Sequence, residues 1–377
     1  MKHEIEITSL ANGGDGIGRV DGQVVFIPFA LPGDVVRARV VKRSKRALWA
    51  ALESVVTPSP DRLPGVEPPG HAMWRHFSYP AQAAWKQRIV TETLARLGGM
   101  ECAPAWVEEP AWRTGYRTRA EFHGDGRAFG FYGPGSHEII DTASCDLLHP
   151  HLNDALARLR ALALRGSFTV TVHPEDEDIL VWAKTAPTRV CQFFPQTNTP
   201  RDAERHAFDY DGIPIVNGGF SQASLLLNRL LVKTVHAAVG EGQALLDLYC
   251  GSGNLSLDLI GRMRVTGIDH HRPSIDAAQE YGGNGYQAGD EGAMEKHLAK
   301  GGFDTVVLDP PRTGAKPLAN ALAACKASRI VYVSCDPATL ARDLRALAET
   351  SWRLAQLTAL DLFPHTPHVE CVAVMER

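Results

Sequence analysis

Two side chains far apart in the chain carry reactive chemistry: the thiol of Cys335 in "VSCDPATL" and the carboxyl of Glu370 in "FPHTPHVECV". Cys335 falls between a β-rich run, "RIVYVS", and the Asp-Pro pair that opens the next segment. At the carboxyl end of a parallel strand, a thiol faces the crevice in which open α/β sheets bind ligands. A thiolate there is suited to adding to an electron-poor ring carbon. Uracil is a ring that needs such help, because its C5 is a poor nucleophile until addition at C6 turns the ring into an enolate. Once C5 has taken a substituent it still bears its hydrogen, so a general base must act before the sulfur can leave. Glu370 is the candidate base. The plainer readings are a small buried hydrophobe for Cys335 and a strand-edge charge for Glu370. Cys250 and Cys371 are rival thiols, but one lies inside a glycine loop and the other inside an apolar strand.

The partner for such a ring would be an electrophilic methyl. "LLDLYCGSGNLSLDL" joins a buried strand to an expected helix through Gly251 and Gly253, where glycine lets the backbone approach a ligand and the helix start offers free N–H groups. A dinucleotide fingerprint requires Gly or Ala where Ser256 stands, which disfavours a pyrophosphate and favours a smaller nucleoside. Asp269 closes the next strand at the distance suited to ribose hydroxyls, and Asp290 follows "GYQAGD", where an adenine amino group could be read. Asp247, Asp269, Asp290 and Asp309 all end or follow strands on one edge; any one of them could simply cap a helix. Together they point to S-adenosylmethionine, whose sulfonium welcomes carboxylates. In "FDTVVLDPPRTG", Asp309 is followed by two prolines that stiffen the loop, then by Arg312. Amino-group methyltransferases tend to place an aromatic residue there, so Arg312 shifts the expectation from nitrogen to carbon chemistry.

Three stretches must position these groups. From Gly242 onward the text alternates strand and helix, with "QALLDLY", "RVTGID", "FDTVVLD", "RIVYVS" and "VECVAVMER" as short apolar runs, which predicts a doubly wound parallel sheet. Ile5–Val56 alternates short β-rich pieces with glycine turns and reads as a small barrel. Within it Arg37, Arg39, Lys42, Arg43, Lys45 and Arg46 form a strip of six basic residues in ten, either an RNA contact or a solvated strand face. "TPSPDRLPGVEPPG", Thr57–Gly70, marks a linker, and "PAQAAWKQRIVTETLARLGG" a helix stopping at Gly98 and Gly99. Roughly Trp112 to Ile215 is strand-rich and mixes arginines with aromatics, a twisted sheet with a polar face or an RNA clamp. The expected modules are 1–57, 58–215 and 216–377.

At 377 residues with 44% hydrophobic and 22% charged side chains, the composition is that of a soluble multi-domain protein. A net charge of -4 argues against a uniformly basic nucleic-acid binder, but charge segregated along the chain escapes that argument. Seven scattered cysteines with no Cys-x-x-Cys spacing suggest neither disulfides nor zinc. No run is long enough to cross a bilayer and "MKHEIEITSL" lacks a signal-peptide core, so the expected address is cytoplasmic and the expected state a monomer.

"DLYCGSGNLSL", "LDPPRTG", "YVSCDPATLARDL" and "FPHTPHVE", with "GGFSQAS" upstream, resemble in order the motifs of the RNA uracil-5-methyltransferase family, and the N-terminal barrel resembles its RNA-binding TRAM domain. The resemblance covers essentially the whole chain. It implies a class I, Rossmann-like methyltransferase domain behind an OB-like barrel and a middle β-rich RNA-binding module. It also implies Cys335 as nucleophile and Glu370 as base, with Asp309 counted in the catalytic set beside them, and cofactor contacts from Gln222, Tyr249, Asn254, Asp269, Asp290 and Asp309, the first three on the resemblance alone. The implied substrate is structured RNA, 23S rRNA first and a transfer-RNA T-loop second; a catalytically silent RNA-binding factor is the alternative of another class. Many TRAM-bearing members hold a four-iron cluster on three cysteines after the barrel and a fourth later. Here only Cys145 matches, so no iron-sulfur centre is expected, and its packing role falls to residues such as Trp74, Phe77 and Trp85.

Overall fold

The computed structural model describes residues 2–66, 73–133 and 135–377; the end of the proline-rich linker, 67–70, lies outside them. β1 (Lys2–Glu6), β2 (Ser9–Leu10), β3 (Gly16–Val20), β4 (Gln23–Ile27), β5 (Val35–Arg43) and β6 (Ala47–Thr57) make one sheet in the order β1-β5-β6-β4-β3-β2. It curls until β1 lies against β3. A Cβ on Gly18 would sit 2.5 Å from Ile5 and 2.7 Å from the Glu6 carbonyl, so that approach requires glycine. Ile5, Ile7, Val25, Ile27, Val36 and Leu48 fill the interior.

α1 (Tyr79–Thr93) runs into a π turn over Leu94–Gly98 and ends at Gly99, whose φ of 69° is the left-handed stop its glycine pair predicts. After β7 (Ala105–Val107) comes a second sheet built from β8 (Arg119–Asp125), β9 (Phe129–Tyr132), β10 (Ile139–Asp141), β11 (Arg165–Val172), β12 (Ile179–Ala183) and β13 (Thr197–Asn198). Its order is β10-β9-β8-β11-β12-β13, with α2 (Pro150–Ala161) on one face, where Leu152, Leu156 and Leu159 join Phe122, Phe129 and Phe168 in the core. α3 (Thr188–Phe193) bridges β12 and β13, and a hairpin of β14 (Ala207–Tyr210) and β15 (Ile213–Val216) follows. Among the described residues no helix is long and apolar enough to cross a membrane.

The last part contains α4 (Leu225–Val239), β16 (Ala244–Leu248), β17 (Arg264–Asp269), α5 (Arg272–Glu280), β18 (Tyr286–Ala288), α6 (Glu291–Lys300), β19 (Thr305–Leu308), α7 (Ala319–Ala324), β20 (Arg329–Ser334), α8 (Pro337–Ala348), β21 (Arg353–Leu360) and β22 (Glu370–Glu376). The sheet runs β18-β17-β16-β19-β20-β22-β21-β7. Two expectations are corrected here. The sheet is mixed rather than parallel: β22 is antiparallel to both β20 and β21, because the segment 361–369 between β21 and β22 is too short for the dozen-residue crossover that parallel pairing needs. The glycine loop after β16 leads into successive turns and a short 3-10 piece, Leu257–Leu259, instead of an α-helix. Gly251 and Gly253 take φ of 55° and 87°, and Ser256 turns its hydroxyl inward onto Asp247 (2.5 Å), so the helical path is lost before it can start.

Candidate active site

The register of β20 against β22 brings the two reactive side chains together. Ser334 pairs with Cys371, which sets Cys335 and Glu370 side by side one step beyond the last pair of the ladder. Cys335 occupies the turn because its neighbours make one. Ser334 Oγ accepts from Asp336 N–H (3.2 Å), and the Asp336 carboxylate then accepts from the N–H groups of Ala338 and Thr339 (both 2.9 Å), starting α8 with Pro337 in its first turn. The thiol is half-buried, whereas the rival Cys371 is sealed and Cys250 is 6% exposed. Glu370 is 2% exposed, and its Oε1 has no hydrogen-bond partner, which is a costly state for a buried carboxyl and marks an oxygen held for something else.

The loop that follows β19 closes the site. Asp309 Oδ2 accepts from Gln222 Nε2 (3.3 Å), so residues 87 positions apart meet at one crevice. Pro310–Ala315 is pinned to α8 and β20: Thr339 Oγ1 donates to the Arg312 carbonyl (3.1 Å), and Ala315 N–H to Asp343 Oδ2 (2.9 Å) and the Tyr332 hydroxyl (3.0 Å). Arg312 is the functional side chain that sequence reasoning used only as a contrast. Its guanidinium lies close enough to Cys335 and Glu370 for its positive charge to act on both groups. Burial pushes the Cys335 thiol up to about 11, with Glu370 and Asp309 adding to the rise and Arg312 opposing it. Burial raises Asp309 to about 7. Burial, then the nearby Asp309, holds Glu370 well above the ordinary carboxylate range, again against Arg312.

The remaining predicted cofactor residues surround the carboxyl ends of β16, β17 and β18. Gly251 N–H donates to Asp269 Oδ2 (3.0 Å) and His271 N–H to Oδ1 (2.7 Å), which fixes the glycine loop to the next strand through one carboxylate. The space above Gly251 is open to 4 Å, while a side chain at Gly253 would strike Leu257 Cβ at 2.9 Å and the Tyr286 ring at 3.1 Å. A ligand can therefore lie against this backbone. Tyr249, at φ 59°, packs its ring on the core beside Leu246 and Leu248. Asn254 exchanges paired hydrogen bonds with Asn228 (2.7 and 3.0 Å) and borders a cavity of about 360 Å³ lined also by Tyr210, Ile213 and Leu225. Asp290 is exposed and caps α6 through Ala293 N–H (3.1 Å). Asp247 is fully buried beneath Ser256, with Oδ1 unpartnered.

The basic strip lies on the β5–β6 hairpin, and the structure divides it. Arg37 pairs with Glu4 across β1 (2.8 Å) and Arg39 with Glu53 (3.5 Å), acids that the strip's own sequence does not show. Lys42 lies over the Trp49 ring (4.9 Å), and Arg43, Lys45 and Arg46 are exposed around the turn. Trp74 and Phe77 are buried edge-to-face (5.6 Å between centroids) with Leu10, Leu31 and Ile89, Trp85 packing alongside; the group joins barrel to α1. Cys145 is buried, and its N–H and carbonyl are both held by the Asn153 amide (2.9 and 2.8 Å). Among the described residues no three His, Cys, Asp or Glu side chains gather as metal ligands would.

Comparison with known proteins fits this geometry. The family model described as tRNA (uracil-5-)-methyltransferase matches residues 294–377, and the TRAM domain model matches 2–52. An uncharacterized RNA methyltransferase of Gloeobacter violaceus is 33% identical over 99% of this chain and 96% of its own length. The 23S rRNA (uracil(1939)-C(5))-methyltransferases RlmD of Methylococcus capsulatus (32%, 98% of this chain, 96% of theirs) and Alkalilimnicola ehrlichii (30%, 99% and 96%) are as similar. The crystal structure of the Pyrococcus abyssi tRNA (uracil-54, C5)-methyltransferase in complex with S-adenosyl-L-homocysteine shares the fold over the full length of both chains, with TM-score 0.76 at 24% identity. A thiol and a buried carboxyl held side by side at the end of a class I sheet, behind a TRAM barrel, thus place the chain in the RNA uracil-C5-methyltransferase family.

Proposed function

We propose that the protein methylates C5 of a specific uridine in 23S rRNA, with Cys335 as nucleophile and Glu370 as base. The observation that carries the reading is the register-set pairing of these two side chains, since a pure RNA binder has no use for either. Gln222, Tyr249, Gly251, Gly253, Asn254, Asp269, Asp290 and Asp309 would hold S-adenosylmethionine. When bound, that cofactor supplies the electrophilic methyl that C5 takes.

The Cys335 sulfur forms the bond to C6, and the electron pair of the C5–C6 double bond moves onto C5 and the neighbouring carbonyl. Arg312 favours the thiolate that this step needs. After C5 has gained its methyl, Glu370 removes the C5 proton, the double bond re-forms, and the C6–S bond breaks with its electrons returning to sulfur. A stacked base cannot present both carbons to this crevice, so the uridine must be turned out of its helix. Barrel residues 1–57 and the middle module, 58–215, would grip the surrounding RNA while 216–377 does the chemistry; α1 and β7 lean on that last part. The enzyme would act as a monomer without an iron-sulfur centre, the Trp74–Phe77 group filling the junction. Transfer RNA is the second substrate to test.

The deciding experiment incubates the enzyme and cofactor with 5-fluorouridine-substituted 23S rRNA and looks for a covalent complex on a denaturing gel. Fluorine cannot leave as a proton, so the wild type should be trapped and Cys335→Ala should give no complex. With ordinary RNA, Glu370→Gln should accumulate the methylated adduct. Release at the wild-type rate would move the base to another residue, and absence of any wild-type complex would remove the reading.

A further inference from the structure

The turn that delivers Glu370 is held from outside the sheet, by one face of α1. Residues 361–369 connect β21 to β22 and include His365 at φ 62°, a conformation that a residue with a side chain keeps only when its surroundings impose it. Gln82 imposes it: Oε1 accepts the His365 N–H (3.0 Å), and Nε2 lies 3.1 Å from His365 Nδ1 while reaching the carbonyls of Phe77 (2.7 Å) and Trp74 (3.0 Å). One turn along α1, Lys86 Nζ donates to Asp361 Oδ1 (2.6 Å) and to the Phe363 carbonyl (2.9 Å), and the Tyr79 hydroxyl donates to Asp361 Oδ2 (2.6 Å). Trp74 N–H and the Tyr116 hydroxyl complete the clamp on the carbonyls of His365 (3.0 Å) and Pro364 (3.1 Å).

Gln82 and Lys86 are wholly buried and Asp361 is 1% exposed. A buried ion pair is no better for stability than a well-packed apolar pair of the same volume, so its value here lies in fixing geometry. What it fixes is selective. Cys335 is held by the start of α8, and Asp309 and Arg312 by the loop pinned to α8; α1 packs on α8, but Gln82, Lys86 and Tyr79 direct their hydrogen bonds to the 361–369 turn. Only Glu370 stands at the end of the clamped turn. Its Oε1 has no hydrogen-bond partner, so no bond at that oxygen resists a shift of the carboxyl.

We propose that Gln82 and Lys86 are positioning residues for proton abstraction: α1 fixes the turn that sets Glu370 beside Cys335, and its loss slows release of the methylated product more than methyl transfer. The proposal rests on the uracil-C5 reading above. Its test is a single-turnover reaction of Gln82→Met and Lys86→Met enzymes with 23S rRNA transcript and methyl-labelled S-adenosylmethionine, following labelled RNA and labelled covalent adduct separately. Displacing a catalytic group by about 1 Å costs on the order of 100-fold, so the adduct should persist at least ~10-fold longer than in the wild type. The methyl-transfer burst and the KM for RNA should stay within about 2-fold. Equal slowing of transfer and release, at the wild-type ratio of adduct to product, overturns the proposal. If either substitution prevents folding, Tyr79→Phe, which deletes one hydroxyl from the clamp, decides: a longer-lived adduct supports it and an unchanged one overturns it. Failure of the wild-type enzyme to trap 5-fluorouridine RNA would instead overturn the underlying reading.

Discussion

Burial raises both Cys335 and Glu370 above their ordinary ranges, and the neighbouring carboxyls raise them further. Arg312 is the counterweight. Its guanidinium draws both groups down, so Arg312→Met should raise the thiol further and leave less thiolate at neutral pH. The expected loss in kcat/KM is about 10- to 100-fold at pH 7.5, and it should stay the same up to pH 9, because the thiol titrates near 11 and both enzymes remain far below their midpoints. An unchanged pH dependence of Cys335 alkylation by iodoacetamide in the variant would mean that Arg312 acts by another route, such as gripping RNA. The sequence displayed this residue openly in "LDPPRTG", yet its influence depends on nearness to a thiol 23 positions away, which only the folded loop reveals. Cys335 and Glu370 could be picked out as candidates because the proposed chemistry restricts them to few residue types in few places.

At the level of the strand and its loop, Asp247 ends β16 with no exposure, and burial lifts it to about 7. The unfolded carboxyl titrates near 3.9, so between these values the folded state binds more protons than the unfolded one, and stability falls as pH rises through about 7. Asp247→Asn keeps the shape and removes that titration. Thermal unfolding from pH 3.5 to 8.5 should show the variant melting about 2–4 °C above the wild type at neutral and alkaline pH, the difference shrinking as pH falls and gone only below about 3.9. A constant offset would exclude the carboxyl as the source. The apolar runs that form β16, β17, β19, β20 and β22 could be read directly, since buried strands need them. Pairing direction could not, because β22 is apolar whichever way it points and its antiparallel sense follows from the short connection to β21. The missing helix after Gly253 is a similar case: Ser256 has ordinary helix-compatible chemistry until Asp247 claims its hydroxyl. "AWV", which becomes β7, is too short to carry any periodic signal.

For the molecule as a whole, a net charge of -4 coexists with a cationic hairpin, and the acids opposite that hairpin decide which cations stay available for phosphate. Replacing Lys42, Arg43, Lys45 and Arg46 with alanine should lower the slope of log affinity against log salt by up to about 3, at roughly 0.7–0.9 per lost phosphate contact. Replacing Arg37 and Arg39 should change it less, because each already faces a carboxylate. Filter binding at several salt concentrations separates the two, and equal slopes would move the RNA elsewhere on the barrel. Finally, β7 hydrogen-bonds along β21, so a strand from residues 105–107 finishes a sheet whose other members follow residue 243. During synthesis that edge must wait until more than two hundred further residues have emerged, and Glu370, the proposed base on β22, emerges after even β21. Activity should therefore appear late and abruptly in refolding, as a long-range docking event, rather than growing in step with secondary structure.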